Sequence, residues 1–235
     1  MRDRNHLLAS LGDADWERVA PELQPVKLAA DKELETRGRD VDWIYFPQSG
    51  IASVIAESSG GSRVETGVIG YEGMTGTGVV LGDSRAAQLI VMQIAGEGHR
   101  IAASRLRELL AESTTLRDHL LLFARAFAIQ VAHTALANGA GLLEQRLARW
   151  LLTLHDRVEG DTLAITHDYI ATMLSVRRPG VSVALKVLEE QGLTRVTRGL
   201  IAIVDRQGLL EKSGGLYGGT EEEYRRLLNW TPQRG

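Results

Sequence analysis

Hydrophobic and polar positions follow two different periods along this chain, and the change of period divides it into segments. Residues 3 to 20 have helical spacing and predict two short helices. Between residues 24 and 103, short β-prone runs are separated by Gly, Asp and Ser, which is typical of antiparallel sandwiches and rolls. The runs begin at Pro25, Glu33, Trp43, Ile51, Arg63, Leu89 and His99. This segment predicts an antiparallel β-roll of the double-stranded β-helix or jelly-roll type.

Helical spacing returns at Ser104, and residues 113 to 138 are predicted to form one long helix. Six of its positions are separated alternately by four and three residues, which is typical of a two-stranded coiled coil. These positions are Leu116, Leu120, Phe123, Phe127, Gln130 and Thr134. The spacing favours a dimer interface, and it is also compatible with a helix packed on its own domain. The Asn-Gly-Ala-Gly run at 138–141 is predicted to be a hinge.

The stretch from Thr166 to Leu188 predicts two short helices joined by a tight turn. Thr166 is suited to cap the first helix, and Pro179 suits the first turn of the second. Beside the apolar stripe of the second helix runs an adjacent polar arc. The arc carries Arg178, Ser182 and Lys186. A guanidinium, a hydroxyl and an ammonium suit the phosphates and base edges of a major groove, so the sequence predicts a helix-turn-helix. The alternative is an ordinary pair of helices with a solvated basic face.

Two strands follow around Arg198-Gly199, and a hairpin placed directly after the second helix indicates a winged helix. Its polar side chains are positioned to hold the sugar-phosphate backbone, whereas Arg178 is predicted to read a base. The complete set of predicted DNA-binding residues is Thr166, His167, Ser175, Arg177, Arg178, Ser182, Lys186, Arg195, Thr197 and Arg198.

A β-roll, a long helix and a winged helix in this order resemble the Crp/Fnr family of bacterial transcription regulators over nearly the whole chain. Ala148-Arg-Trp-Leu-Leu, Ala171-Thr-Met-Leu-Ser-Val-Arg-Arg-Pro-Gly-Val and Arg198-Gly-Leu-Ile-Ala-Ile-Val carry the resemblance. It implies an α+β homodimer that binds a near-palindromic operator in double-stranded DNA and contacts RNA polymerase. By the resemblance, Arg178 takes the place of the base-reading arginine. Pro179 stands where the best-known members have a glutamate, so their operator is not implied here.

The resemblance also divides the chain into four parts. They are a cyclic-nucleotide-binding-like sensor at 1–112, a dimerisation helix and hinge at 113–141, a DNA-binding domain at 142–212 and a tail at 213–235. Candidate effector-binding residues in the sensor are Glu72, Gly73, Ser84 and Arg85.

The effector motif departs from the family's pattern, because Ala86 stands where cyclic-nucleotide binders have a hydroxyl. A buried phosphate needs several charge-assisted donors, so the sequence does not predict cAMP or cGMP as the ligand. The remaining interpretations of 70–82 are a turn-rich connection, a site for another ligand and a contact with a protein partner. A true cyclic-nucleotide receptor stays an alternative.

Composition narrows the function further. The chain contains no cysteine, which excludes disulfides, iron–sulfur clusters and thiolate zinc sites. Charged residues make up 24%, and we find neither a signal peptide nor an apolar run that would span a bilayer, so we expect a cytoplasmic protein without a membrane partner. Metalloprotease, nucleophile-elbow and Walker motifs are missing, so we predict neither an enzyme nor a metal site. The alternative function is a ligand-sensing or protein-interaction module whose winged helix does not read DNA.

Overall fold

The computed structural model describes residues 3–232. Two short helices open this part of the chain, α1 (His6–Ala9) and α2 (Asp13–Val19), followed by a 3-10 turn at Ala20–Glu22. The Asn5 side chain caps α1 by accepting a hydrogen bond from the Leu8 amide at 3.1 Å. Both predicted N-terminal helices are therefore present.

Seven strands form the N-terminal domain in the order expected from the alternating pattern. They are β1 (Gln24–Leu28), β2 (Glu33–Glu35), β3 (Trp43–Pro47), β4 (Ile51–Glu57), β5 (Arg63–Ile69), β6 (Leu89–Ile94) and β7 (Gly96–Ala102), with the short helix α3 (Thr77–Val80) between β5 and β6. All neighbouring strands pair antiparallel, in two sheets of order β1-β7-β3 and β2-β6-β4-β5. The predicted antiparallel β-roll is confirmed.

Helices α4 (Ala103–Glu112) and α5 (Thr114–Ala140) follow the roll. The Ser113 hydroxyl caps α5 by accepting the Leu116 amide at 3.2 Å. The helix continues through the predicted hinge, because the Gly141 amide still bonds the Ala137 carbonyl at 2.9 Å. Helix α5 therefore extends to Ala140, so the break in the helix predicted at 138–141 falls at Gly141, and a hinge at this position stays a prediction.

The six predicted interface positions of α5 face the protein's own core. Leu116, Leu120, Phe123, Phe127 and Gln130 are buried within one chain, and Thr134 is half-buried. The Gln130 side-chain oxygen accepts the amide of Val68 on β5 at 2.6 Å. The dimer interface was therefore wrongly assigned to these residues. Alternating separations of four and three mark a buried helical stripe, and the periodicity does not say which surface covers it.

The opposite face of α5 is apolar as well, and it is exposed. Leu122 and Leu136 are 41% and 55% exposed, and Ala128, Ala132 and Ala135 lie near them on the exposed side. By length and composition alone α5 would be able to cross a membrane, since its best 18-residue window has a mean hydropathy of 1.6. By length and composition, the expectation that the chain has no apolar run able to span a bilayer is therefore wrong for α5. The structure accounts for the composition differently, because α5 has one apolar face in the core and a second on the surface.

The remaining elements form the winged helix and a C-terminal helix. They are α6 (Leu143–His155), β8 (Thr162–Leu163), α7 (His167–Met173), α8 (Arg178–Glu190), β9 (Thr194–Thr197), β10 (Leu200–Ile203), α9 (Arg206–Lys212) and α10 (Gly219–Leu228). The Thr166 hydroxyl caps α7 by accepting the Tyr169 amide at 3.2 Å, as predicted. Gly192 has φ +75° directly after α8, the left-handed conformation expected at a helix end.

Helix α10 packs on α5, although no structure was predicted for the tail. Tyr224 of α10 is fully buried, and its ring meets Phe123 edge-on at a centroid distance of 6.4 Å. Trp230, just after α10, is 1% exposed. The described part of the tail therefore belongs to the core of the β-roll and is not a free extension.

We expect Phe123→Ala to lower the free energy of unfolding by about 3–5 kcal/mol, because it empties a fully buried site between the roll and α10. Urea denaturation followed by circular dichroism measures the loss. Arg117→Ala, at an exposed position of the same helix, is the control and should stay close to the wild type.

Candidate nucleic-acid interface

The predicted DNA-binding residues lie on one domain and point away from its core. Nine of the ten are exposed, and His167 is half-buried. They occupy four places: the start of α7, the turn between the helices, the outer side of α8 and the hairpin β9–β10. The exposed nine are Thr166, Ser175, Arg177, Arg178, Ser182, Lys186, Arg195, Thr197 and Arg198.

Helix α8 presents its polar arc because its apolar stripe is anchored inside the domain. Val181, Leu185 and Leu188 are at most 1% exposed, so the rotation of the helix about its axis is set by their burial. Ser175 has φ +51° in the turn before α8, which brings the second helix round against the first. The arc predicted from spacing is therefore presented to solvent.

Arg178 forms a surface ion pair that the sequence did not reveal. Its Nε lies 3.0 Å from Asp168 Oδ1 on α7, with the two side chains 63% and 73% exposed. An ion pair this exposed is worth little, because water and salt screen both charges. The guanidinium is therefore free to exchange Asp168 for a stronger acceptor such as a base edge or a phosphate.

Other polar contacts hold α7, α8 and the hairpin β9–β10 together. The His167 Nδ1 lies 3.1 Å from the Ser182 hydroxyl, which links the start of α7 to the middle of α8. On the other side, the Val196 amide donates to Glu189 at 2.8 Å and ties the wing to the same helix. Lys186 pairs loosely with Glu190 at 3.6 Å. The helices and the wing therefore form one surface with mainly cationic and hydroxyl groups on it.

Residues 145–212 match the family model described as the Crp-like helix-turn-helix domain. This segment is a Crp-like helix-turn-helix domain. It contains α6 to α9 and every one of the predicted DNA-binding residues. No curated protein sequence matches the chain.

Solved structures extend the likeness from the Crp-like domain to most of the chain. A regulator of the crp/fnr family from Eubacterium rectale superposes with a TM-score of 0.69 at 18% identity, covering 89% of this chain and 98% of that one. FixK2 from Bradyrhizobium japonicum gives 0.68 at 16% identity, covering 84% and 98%. The c-di-GMP responsive regulator CLP of Xanthomonas campestris gives 0.63 at 17% identity, covering 83% and 100%. The chain has the Crp/Fnr fold, and the predicted resemblance is confirmed.

The predicted effector residues do not come together in one site. Arg85 is exposed and donates through Nε to the Gly38 carbonyl at 2.9 Å. Gly73 lies against α5, where an added Cβ would sit 2.3 Å from the Phe123 ring. Ser84 is half-buried beside Arg85, whereas Glu72 is fully buried and paired with Arg157. The prediction of a shared effector site for these four residues is therefore wrong.

Glu72 is neutralised by an arginine from the Crp-like domain. Arg157 Nε donates to Glu72 Oε1 at 2.8 Å, and both side chains are 0% exposed. The Gly70 amide also donates to this carboxylate at 3.1 Å. Burial is the largest single influence on the pKa of Arg157 and lowers it, but the charges of Glu72 and Asp156, the Tyr224 hydroxyl and the hydrogen bond with Glu72 together raise the pKa above its ordinary value. The carboxylate thus serves as the partner of a buried cation and is not available to a ligand.

Arg157 is also covered by two aromatic rings of the tail. Its guanidinium carbon lies 5.2 Å from the ring centre of Trp230 and 5.9 Å from that of Tyr224. Cation–π attraction supplements the ion pair where water is excluded. Sequence reasoning missed this contact because Arg157 lies far along the chain from the two aromatic residues that cover it.

A small cavity remains in the roll beside Arg85. It has a volume of about 200 Å³ and is also lined by Glu35, Asp83 and Phe127. Burial raises the pKa of Glu35, although the carboxylate accepts the Gly76 amide at 2.6 Å. Two carboxyl groups beside one arginine make a poor phosphate site, since like charges repel. Within residues 3–232, no three His, Asp or Glu side chains are grouped so that they would hold a metal ion.

We expect Glu72→Gln to reduce the free energy of unfolding by about 3–5 kcal/mol, because it leaves the buried charge of Arg157 unpaired. Chemical denaturation monitored by tryptophan fluorescence provides the measurement. Arg85→Gln serves as the matched control in the original effector set and should unfold close to the wild type. Near-wild-type stability of Glu72→Gln would contradict the structural role of this carboxylate.

Proposed function

We propose that the protein is a homodimeric, sequence-specific DNA-binding transcription regulator. The observation that carries the proposal is the exposed arc of Arg178, Ser182 and Lys186 on α8 of a Crp-like domain. Solved structures of the same fold are described as transcriptional regulators, which supports a regulatory role over an enzymatic one.

Each part of the interface takes a distinct role in this proposal. Helix α8 enters the major groove, where Arg178 donates to a base edge, most simply to O6 and N7 of a guanine. Arg195, Thr197 and Arg198 on the wing hold the sugar-phosphate backbone. Thr166 and His167 contact phosphates at the start of α7, Ser175 and Arg177 do so at the turn, and Ser182 and Lys186 extend the groove contact along α8.

The second copy packs on the exposed face of α5. This face contains Leu122, Ile129, Ala132 and Leu136, whose separations of seven, three and four residues repeat a coiled-coil pattern. Small residues among the leucines permit close approach of a second helix. Pairing two copies here would present two α8 helices to a near-palindromic operator, about one helical turn of DNA apart.

The β-roll, in this proposal, senses a signal that shifts the population between arrangements of the two DNA-binding domains. The related structures include a c-di-GMP responsive regulator, so signals within this fold extend beyond cyclic mononucleotides. Contact with RNA polymerase follows from the family resemblance. The protein would act in the cytoplasm.

Selection of binding sites from random and genomic DNA, using the purified protein, tests the proposal directly. Affinity for a selected site should fall steeply with salt, because neutralised phosphates release counterions on binding. A winged helix that contacts protein instead of DNA would yield no enriched sequence.

Arg178→Ala should lose roughly 1–3 kcal/mol of discrimination at one base position, the usual worth of a bidentate arginine contact. Fluorescence anisotropy with the selected site and single-base variants of it measures this loss. If the substitution weakens specific and random DNA equally, Arg178 does not read a base.

Arg198→Ala is the matched wing variant. It should weaken all DNA sequences by a similar factor and reduce the slope of affinity against salt by about one, since it removes one phosphate contact.

The double variant Leu122→Glu/Leu136→Glu should convert the dimer to a monomer, because it places charges in the proposed apolar interface. Analytical ultracentrifugation measures the mass, and circular dichroism checks that the fold is retained. Leu210→Glu, at an exposed leucine of α9, should leave the dimer intact. A dimer that survives the double substitution would exclude this face.

A further inference from the structure

The Crp-like domain is docked on the β-roll through a shared core. Ile55 of β4 and Val68 of β5 belong to the same hydrophobic cluster as Leu151 of α6 and Ile170 of α7. The two domains therefore bury apolar surface against each other, and any change in their relative position must open this interface.

A buried polar cluster lies within that interface. Glu65 of β5, 5% exposed, accepts the indole N–H of Trp150 at 2.6 Å and lies 2.6 Å from the Ser53 hydroxyl. The same hydroxyl lies 2.9 Å from the Gln93 side-chain oxygen and accepts from the Tyr169 hydroxyl at 3.3 Å. Three strands of the roll and two helices of the Crp-like domain thus meet in one cluster, in which Ser53 and Trp150 bond the Glu65 carboxyl group and Gln93 and Tyr169 bond Ser53.

The hydrogens in this cluster can be arranged in two consistent ways. Ser53 has a single hydroxyl hydrogen and faces two acceptor oxygens, on Glu65 and Gln93. If Glu65 is protonated, it donates to Ser53, which donates in turn to Gln93. If Glu65 is ionised, Ser53 donates to it, and the Gln93 amide must turn over to donate to Ser53. One proton therefore decides the direction of the whole chain of hydrogen bonds.

The surroundings of Glu65 favour the protonated arrangement at pH values below about 7. Burial raises its pKa to about 7, although the hydrogen bonds from Ser53 and Trp150 and the charges of Arg149 and Arg157 act in the opposite direction. Both arginines have other acidic partners. Arg157 is paired with Glu72, and Arg149 faces Glu221 of α10. The remaining titratable neighbour is Tyr169, whose own pKa burial raises.

We propose that Glu65 is a proton-operated latch between the β-roll and the Crp-like domain. Protonated Glu65 holds α6 and α7 on the roll, and ionisation of Glu65 loosens the docking. The turn before α8 shares a cleft with the tip of the β4–β5 hairpin, since Arg63 and Arg177 both line it. The latch therefore controls whether α7, α8 and the turn between them stay against the β-roll.

The direction and size of the effect follow from proton linkage. If undocking exposes Glu65 to water, its pKa returns to the ordinary value of 4.5, whereas the docked Glu65 has a pKa of about 7; the docked state then binds more protons between these values. Docking consequently weakens as the pH rises through this interval and levels off above it. From pH 6 to pH 8 the docking equilibrium constant should fall about tenfold, with most of the change below pH 7.

Two measurements on the full-length protein test the latch. The ¹³C carboxyl resonance of Glu65, assigned by its disappearance in Glu65→Gln, should titrate with a midpoint near 7. Hydrogen-exchange protection factors of α7 amides, corrected for the intrinsic pH dependence of exchange, should fall about tenfold between pH 6 and pH 8. In Glu65→Gln the same amides should remain protected at both pH values.

Glu57→Gln removes a carboxyl group at the tip of the same hairpin, paired with Arg63, and is the matched control. It should keep the full pH dependence of the wild type. A wild-type carboxyl midpoint at the ordinary value, a protection change below about threefold, or the same change in Glu65→Gln would each overturn the proposal.

Trp150→Phe tests the latch without removing the carboxyl group. Loss of the indole donor, which favours ionised Glu65, should move the carboxyl midpoint upward by about 1 pH unit. Protection of α7 should then persist to correspondingly higher pH. A residue with a merely structural role would not move the midpoint, so an unchanged value in this variant also counts against the latch.

Discussion

The buried ion pair of Arg157 and Glu72 is the contact on which the arrangement of this chain depends. It joins the end of α6 in the Crp-like domain to the β-roll, and the rings of Tyr224 and Trp230 close over it from the tail. Two fully buried charges are tolerable only together, because either one alone would carry a large desolvation penalty. The pair therefore fixes the positions of three segments that the sequence places far apart. It also occupies the carboxylate that would otherwise be the natural candidate for an effector contact.

Helix α5 has to satisfy two neighbours at once, which explains its composition. One apolar stripe, including Phe123 and Gln130, is covered by the roll and α10, whereas Leu122 and Leu136 lie on the other side in solvent. A helix that is apolar on both faces needs a partner on each. The tail provides part of the inner cover. A second copy of the chain is the partner that we propose for the outer face.

Two polar contacts between the domains differ in how they respond to conditions. Arg157 keeps its charge at any physiological pH, because the acidic groups around it raise its pKa above an already high ordinary value. Glu65 is held by neutral donors from Ser53 and Trp150, and its pKa lies near 7 because burial dominates. If Glu65 ionises while the Arg157–Glu72 pair persists, the docking of the Crp-like domain on the β-roll loosens and the fold is retained. The turn that leads into α8 lines a cleft with the tip of the β4–β5 hairpin, so α8 moves with that docking.

The sequence by itself determined the elements, their order and the residues presented by α8, since these follow from local periodicity, capping and turn chemistry. Thr166 caps α7, Gly192 ends α8, and Arg178 lies on the exposed arc as predicted. Only the tertiary structure decided what covers each apolar face and which charges meet. The period of the apolar stripe of α5 was predicted correctly, but the stripe packs on the chain's own core instead of a second copy. Glu72 pairs with Arg157, which lies 85 positions away in the chain. Periodicity reports that a face is buried, whereas the identity of its partner depends on contacts between segments remote in sequence.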